Sequence, residues 1–224
     1  MLIAADPDYS ESQLARALIA AEAEHIKPVI ALNKSDLAVP FARAWTRLLP
    51  YQRMGYGLLP LSLKHAGDGD RVALLGELAG KTTLVLGPSG AGKSTLINLL
   101  VPGALAQTGE LSQALNSGRH TTTSTTWYWV PHTNGPSRTT ALIDSPGFQE
   151  FGLNHIEPMQ LAGCMPDIKP HLGACKFYNC THLHEPGCAV ISAIESASSP
   201  HPVGATRYKI YSELFAELSQ PKRY

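Results

Sequence analysis

A glycine-rich stretch, Gly87-Pro88-Ser89-Gly90-Ala91-Gly92-Lys93-Ser94, lies downstream of the tetrad Asn33-Lys34-Ser35-Asp36. Both are nucleotide-binding patterns, and their order is the reverse of the one they take in ordinary guanine-nucleotide-binding domains. A folded site needs its parts adjacent in space and is indifferent to their order along the chain. A closed α/β domain can therefore be opened in one loop and rejoined elsewhere. The order points to a circular permutation, in which the chain starts inside a sheet. Leu2 to Ala5 fits, because it reads as the tail of a buried strand.

The chemistry of each segment follows from its residue types. In the phosphate loop, glycines allow consecutive backbone N–H groups to point inward, Lys93 neutralises the β and γ phosphates, and Ser94 offers its hydroxyl to magnesium, with Thr95 continuing into the helix. The setting is right: Thr82 to Leu86 reads as a strand before the loop, and Leu96, Ile97, Leu99 and Leu100 as an apolar helix after it. In the tetrad, the Asp36 carboxylate accepts from both the ring N–H and the exocyclic amine of guanine, a donor pair that adenine lacks. The tetrad ends the strand Val29 to Leu32, and Ser62-Leu63-Lys64 follows the strand Leu58 to Leu61 as a second loop against the base.

Asp144-Ser145-Pro146-Gly147 ends a further strand, with Asp144 placed to hold magnesium through water and the Gly147 amide placed to sense the γ-phosphate. Upstream lies the polar segment Arg119-His120-Thr121-Thr122-Thr123, from which a threonine, with Thr123 the candidate, coordinates magnesium when GTP is bound. Phe148 stands where many GTPases carry a glutamine that orients the attacking water, and a phenyl ring cannot do so. His120 is the candidate for that role, against the alternative of a merely solvated loop histidine.

The last pattern is Cys175-x4-Cys180-x-His182-x5-Cys188, three thiolates and an imidazole suited to tetrahedral zinc. A closed four-ligand set leaves no position for substrate, so the zinc is expected to be structural. His184 is the alternative imidazole, and Cys164 reads as a small apolar residue outside the set. Thiols crowded beside histidines in a 224-residue chain suit a metal better than disulfides, which points to a reducing, cytoplasmic setting. The 18 basic and 18 acidic residues balance, so no global field draws the chain to nucleic acid or membrane, and any RNA contact must be local. No apolar run approaches membrane-spanning length, and the opening residues do not form a signal peptide.

The remaining pattern predicts helices over Ser10 to Glu24 with Leu14, Leu18 and Ala21 on one face, over Pro40 to Leu49, and over Asp70 to Leu78. In the third, an aspartate caps the helix and Val72, Leu75 and Leu78 face inward. Trp127 to Val130 and Thr139 to Ile143 flank Asn134-Gly135-Pro136 as an antiparallel hairpin, while Gly103 to Thr126 reads as a long loop. Beyond Gly152, proline, glycine, histidine and cysteine punctuate short helical pieces. A final amphipathic helix carries Tyr208, Tyr211, Phe215 and Leu218. The expected fold is α/β: a circularly permuted P-loop GTPase domain over residues 1–152, followed by a small, mostly helical zinc-binding domain over 153–224.

In combination and order these motifs resemble the RsgA/YjeQ family, the circularly permuted GTPases of small ribosomal subunit biogenesis. The resemblance spans nearly the whole chain. It implies a GTP hydrolase, stimulated by the ribosome, that uses GTP/GDP, Mg2+ and one structural Zn2+. Its partners would be the maturing small ribosomal subunit and its rRNA, without a membrane, and the protein would be a monomer. Members of the family carry an N-terminal OB-fold that this chain is not seen to have, so ribosome affinity carried by that domain is in question. Two other readings compete. A transporter-type ATPase would need a Leu-Ser-Gly-Gly-Gln-like signature, which is not found downstream, and a non-catalytic RNA-binding scaffold would bind nucleotide and zinc without turnover.

Overall fold

The computed structural model describes residues 1–104, 125–131, 138–145, 152–196 and 198–220. Two compact units emerge, Met1–Gln13 with Pro28–Glu150 and Leu14–Lys27 with Phe151–Tyr224. The chain thus passes between them near residues 13, 27 and 150.

The first unit holds two three-stranded ladders. β1 (Leu2–Ala4), β2 (Val29–Asn33) and β3 (Gly57–Pro60) run parallel in that order, with Leu2 opposite Ala31 and Val29 opposite Gly57. β4 (Thr82–Val85) pairs parallel with β6 (Ala141–Asp144), which pairs antiparallel with β5 (Thr126–Trp129). The antiparallel β5–β6 pair agrees with the sequence reading. The Leu2 N–H donates to the Leu86 carbonyl at 2.7 Å, which brings the exit of β4 beside β1 and sets the two ladders edge to edge. Strands buried on both faces read as near-continuous apolar runs, and in β1 the successive residues Leu2, Ile3 and Ala4 are all buried. At the β5 edge the alternation shows instead: Trp127 and Trp129 are exposed and Tyr128 is half-buried against the core.

Three helices of this unit follow their apolar spacing. α2 (Ala38–Arg53) buries Ala44, Leu48 and Tyr51, and α4 (Lys93–Leu100) buries Leu96, Ile97 and Leu100. α2 runs a turn beyond the expected stop at Leu49. Pro50 forgoes one ladder bond, but buried Tyr51 holds the last turn on the core. α3 (Asp68–Leu78) starts earlier than expected, with Gly67 at its N-cap and no side-chain cap, so Asp70 lies in the first turn. Val72 does not face inward; it is 67% exposed, while Leu74 and Leu78 are buried and Leu75 packs at their flank. Two residues along a helix are about 200° apart, so a core-facing Leu74 turns Val72 to solvent.

In the second unit, α1 (Glu11–Ala23) contributes Ala15, Ile19 and Ala20 to a core shared with Leu153, Leu161, Met165, Ile168 and Val190. 3₁₀ turns at Pro158–Cys164 and Lys169–His171 lead to the short α5 (Ala189–Ser192) and to α6 (Ala205–Leu218). α6 is the spine of this unit. Its Arg207 makes a buried bidentate pair with Asp167, both bonds 2.9 Å, and its Glu217 pairs with Arg16 of α1. The paired geometry matters because either charge buried without its partner would be strongly destabilising.

Candidate nucleotide site and metal centre

The glycines of the phosphate loop each answer a physical constraint. Gly90 and Gly92 have φ of +79° and +104°, in the left-handed region that a side chain disfavours. Gly87 is constrained by space: a β-carbon there would lie 2.0 Å from the Leu2 carbonyl oxygen, so only glycine lets the chain leave β4 across β1. Lys93 opens α4 and its ammonium donates to the carbonyls of Gly87 at 2.6 Å and Pro88 at 3.2 Å. Burial lowers its pKa, and the charge of Asp144 opposes that shift. Asp144 is 3% exposed and ends β6 in register with Val85, at the point where β4 enters the loop. Ser94 and Thr95 follow in the first turn of α4, half-buried.

The tetrad ends β2 beside this loop. Asn33, 5% exposed, donates its Nδ2 to the Ala91 carbonyl at 2.9 Å and accepts the Leu63 N–H on Oδ1 at 3.0 Å. One amide therefore joins the tetrad, the phosphate loop and the Ser62-Leu63-Lys64 segment. A β-carbon on Gly92 would lie 2.5 Å from that Nδ2. Lys34 has φ of +68°, and its ammonium donates to the Asp6 carbonyl. The Ser35 N–H donates to the Leu61 carbonyl at 2.9 Å, which fixes the tetrad against the end of β3. The Ser62 hydroxyl donates to Asp36 Oδ1 at 2.9 Å, and this bond is the main cause that lowers the Asp36 pKa. Lys64 sits in the 3₁₀ turn Leu63–His65. Arg119, His120, Thr121, Thr122, Thr123, Gly147 and Phe148 lie outside the described residues.

The structure gathers Cys175, Cys180, His182 and Cys188, with all four donor atoms within 4.8 Å of one another. The spacing suits a tetrahedral ion. With zinc–sulfur bonds of about 2.3 Å and a zinc–nitrogen bond of about 2.05 Å, a tetrahedron sets two sulfurs about 3.8 Å apart and a sulfur about 3.6 Å from the nitrogen. Cys175 Sγ lies 3.9 Å from Cys188 Sγ, and each lies 3.5 Å from His182 Nδ1. His184 and Cys164 stand outside this group. Burial lowers the His182 pKa, which favours the neutral, ligating imidazole. Tyr208 and Tyr211, expected as apolar-face residues, also use their hydroxyls: Tyr208 donates to the carbonyls of His182 at 2.9 Å and Leu183 at 3.2 Å, and Tyr211 to that of Thr181 at 2.8 Å. Helical spacing places these rings but carries no signal for their hydroxyl partners.

Comparison with known proteins agrees with this architecture. A family model described as RsgA GTPase matches residues 1–154. A relative from Variovorax paradoxus (strain S110), named small ribosomal subunit biogenesis GTPase RsgA, is 72% identical over 222 residues, which cover 99% of this chain and 69% of that protein. A relative of the same name from Burkholderia mallei (strain SAVP1) is 50% identical over 98% of this chain and 67% of its own length. Among solved structures, YloQ, described as a circularly permuted GTPase, is similar over the whole chain and 69% of its own, with a TM-score of 0.72 and 27% identity. YjeQ from Thermotoga maritima is similar over 99% of this chain and 70% of its own, with a TM-score of 0.74 and 26% identity. Among the described residues no helix is long and apolar enough to cross a membrane. With its motifs in permuted order on one sheet and these matches over its length, the chain belongs to the RsgA GTPase family, whose chemistry runs on GTP and GDP with magnesium.

Proposed function

We propose that this chain hydrolyses GTP on the small ribosomal subunit, in contact with its rRNA, during late assembly of that particle in the cytoplasm. The observation that carries the nucleotide reading is the Asn33 amide, which holds the tetrad and the phosphate loop together across 58 residues of sequence. Asp36, oriented by Ser62, selects guanine, and Lys34, Ser35, Leu63 and Lys64 flank the base. Backbone N–H groups of Gly87 to Gly92 cradle the phosphates, with Pro88, Ser89 and Ala91 completing the loop. Lys93 trades its loop carbonyls for phosphate oxygens and so neutralises charge between the β and γ groups.

Ser94 and Asp144 are the residues that would hold magnesium, with Thr123 joining when GTP is bound; the ion spreads the charge of the β and γ phosphates. Gly147 senses the γ-phosphate, and His120 positions the attacking water in place of the glutamine that Phe148 replaces. Cys175, Cys180, His182 and Cys188 would hold one structural zinc, supported by the donor softness and spacing of the set. The test is GTP turnover with and without saturating small subunits. We expect slow turnover alone and strong stimulation by the subunit. ATP that displaces labelled GDP as well as GTP does would overturn the guanine reading, and turnover unchanged by saturating subunits would overturn the ribosomal one.

A further inference from the structure

The loop that carries His182 is shaped by a carboxylate that belongs to no ligand set. Glu185 Oε1 accepts from the Thr181 N–H at 2.7 Å and the Thr181 hydroxyl at 2.5 Å. Oε2 accepts from the N–H groups of Leu183 and His184, each at 3.2 Å. A carboxylate offers about four lone-pair sites, and here four donors from both sides of His182 fill them. On the other flank, the carbonyls of Thr181, His182 and Leu183 are held by the hydroxyls of Tyr211 and Tyr208 from α6. His182 lies between these anchors at φ +62°. A non-glycine residue keeps that conformation only where its surroundings over-determine it. Burial would raise the Glu185 pKa, but the hydrogen bonds from Thr181 and His184 outweigh it and keep the group well below the ordinary carboxylate range.

We propose that Glu185 is a positioning residue for the metal centre: it holds residues 181–184 in the ligating shape, so that His182 meets the three thiols without a rearrangement of the loop. The proposal rests on the zinc reading of the Cys175, Cys180, His182, Cys188 set. Its physical basis is preorganisation. A loop already fixed by its own hydrogen bonds loses less freedom when an ion binds, and the difference appears as affinity. Glu185 need not touch the ion to do this, and its oxygens are committed to N–H and O–H donors.

Two variants of the full chain test the role. Glu185→Gln keeps the shape of the side chain but aims an NH2 group at backbone donors. Thr181→Val removes one donor of the four and leaves the carboxylate. Zinc affinity is read by competition with a chromogenic chelator, and the ligand set by the charge-transfer and d–d bands of the cobalt-substituted protein. Residues that orient metal ligands typically contribute 10- to 100-fold in affinity. We expect Glu185→Gln to lose zinc affinity by about that factor while its cobalt bands at saturation stay those of tetrahedral Cys3His, and GDP affinity to be unchanged. Thr181→Val should show a smaller loss with the same bands.

Zinc affinity in Glu185→Gln within about twofold of wild type would overturn the proposal, even if its thermal stability falls, because a purely structural role predicts that pattern. Altered cobalt bands at saturation would also overturn it, since they would mean a changed ligand set. If Glu185→Gln does not fold, the outcome for Thr181→Val decides, and wild-type affinity there overturns the role. Wild-type protein that takes up neither zinc nor cobalt would remove the zinc reading itself, and the positioning role with it.

Discussion

Replacing Asn33 with alanine should weaken the first unit and its nucleotide site together, by an amount that the geometry bounds. The amide makes two buried bonds, to the Ala91 carbonyl at 2.9 Å and from the Leu63 N–H at 3.0 Å. Ala91 and Leu63 are themselves buried, so the variant leaves an acceptor and a donor away from bulk water. Each group left unsatisfied costs about 1–3 kcal/mol. Water entering the space left by the amide recovers part of this, which puts the loss of stability at about 2–4 kcal/mol. The nucleotide must then order two loops that the wild type holds ready. At about 1.4 kcal/mol per decade, GDP affinity should fall about tenfold or more. Urea unfolding of the nucleotide-free protein reads the first quantity, and titration with a fluorescent GDP reads the second. Wild-type values for both would refute the reasoning. Lost stability with unchanged GDP affinity would show that the amide serves the fold and does not prepare the site.

Gly92→Ala should abolish measurable GDP binding in the same titration, because the residue has φ of +104° and its β-carbon would lie 2.5 Å from the Asn33 amide nitrogen; near-normal affinity would contradict this. Asp36→Asn should shift preference from guanine toward xanthine nucleotides in competition binding, since the amide offers a donor where the carboxylate only accepts. Burial pushes the Cys180 thiol up to about 12, so zinc must displace at least one proton. Zinc affinity should then drop about tenfold or more for each unit of pH lost between 8 and 6.5, and a pH-independent affinity would contradict it. His120→Ala should lower GTP turnover at saturating small subunits and leave GDP affinity nearly unchanged, as for an interaction formed mainly in the transition state. Wild-type turnover would remove His120 from the mechanism.

Much of the site is legible in the sequence because its chemistry is written in short, local spacings. The stretch from Gly87 to Ser94, the tetrad from Asn33 to Asp36 and the set from Cys175 to Cys188 each need particular residue types within a few positions, and the structure gathers each one. What was not legible depends on contacts that no local spacing records. Val72 and Leu74 are equally apolar, and only the placement of α3 on the core decides which is buried. α1 shows the same limit. Its apolar residues occupy more than one face, with Leu14 and Leu18 buried as well as Ala15 and Ile19, and nothing within residues 11–23 says that Ala15 and Ile19 pack with Leu161 and Met165. The tetrad pattern singles out Asn33, but its bonds to Ala91 and Leu63, and those of Glu185 to the loop of residues 181–184, join groups that come together only when the chain is folded.

The same kind of contact explains how a permuted order leaves a nucleotide site intact. If the loops depended on chain continuity, moving the tetrad ahead of the phosphate loop would change which segments could reach each other. Here the attachments run across the fold: Asn33 to Ala91 over 58 residues, Asn33 to Leu63 over 30, and Leu2 to Leu86 between neighbouring strands. Each is a hydrogen bond between groups placed by the parallel strands β1, β2, β3 and β4 or by the loops that leave them. None requires a particular covalent order, so the condition on the sequence is that those strands stay neighbours. Gly87 meets that condition at its tightest point, where a single added methyl group would drive the phosphate loop off the Leu2 carbonyl.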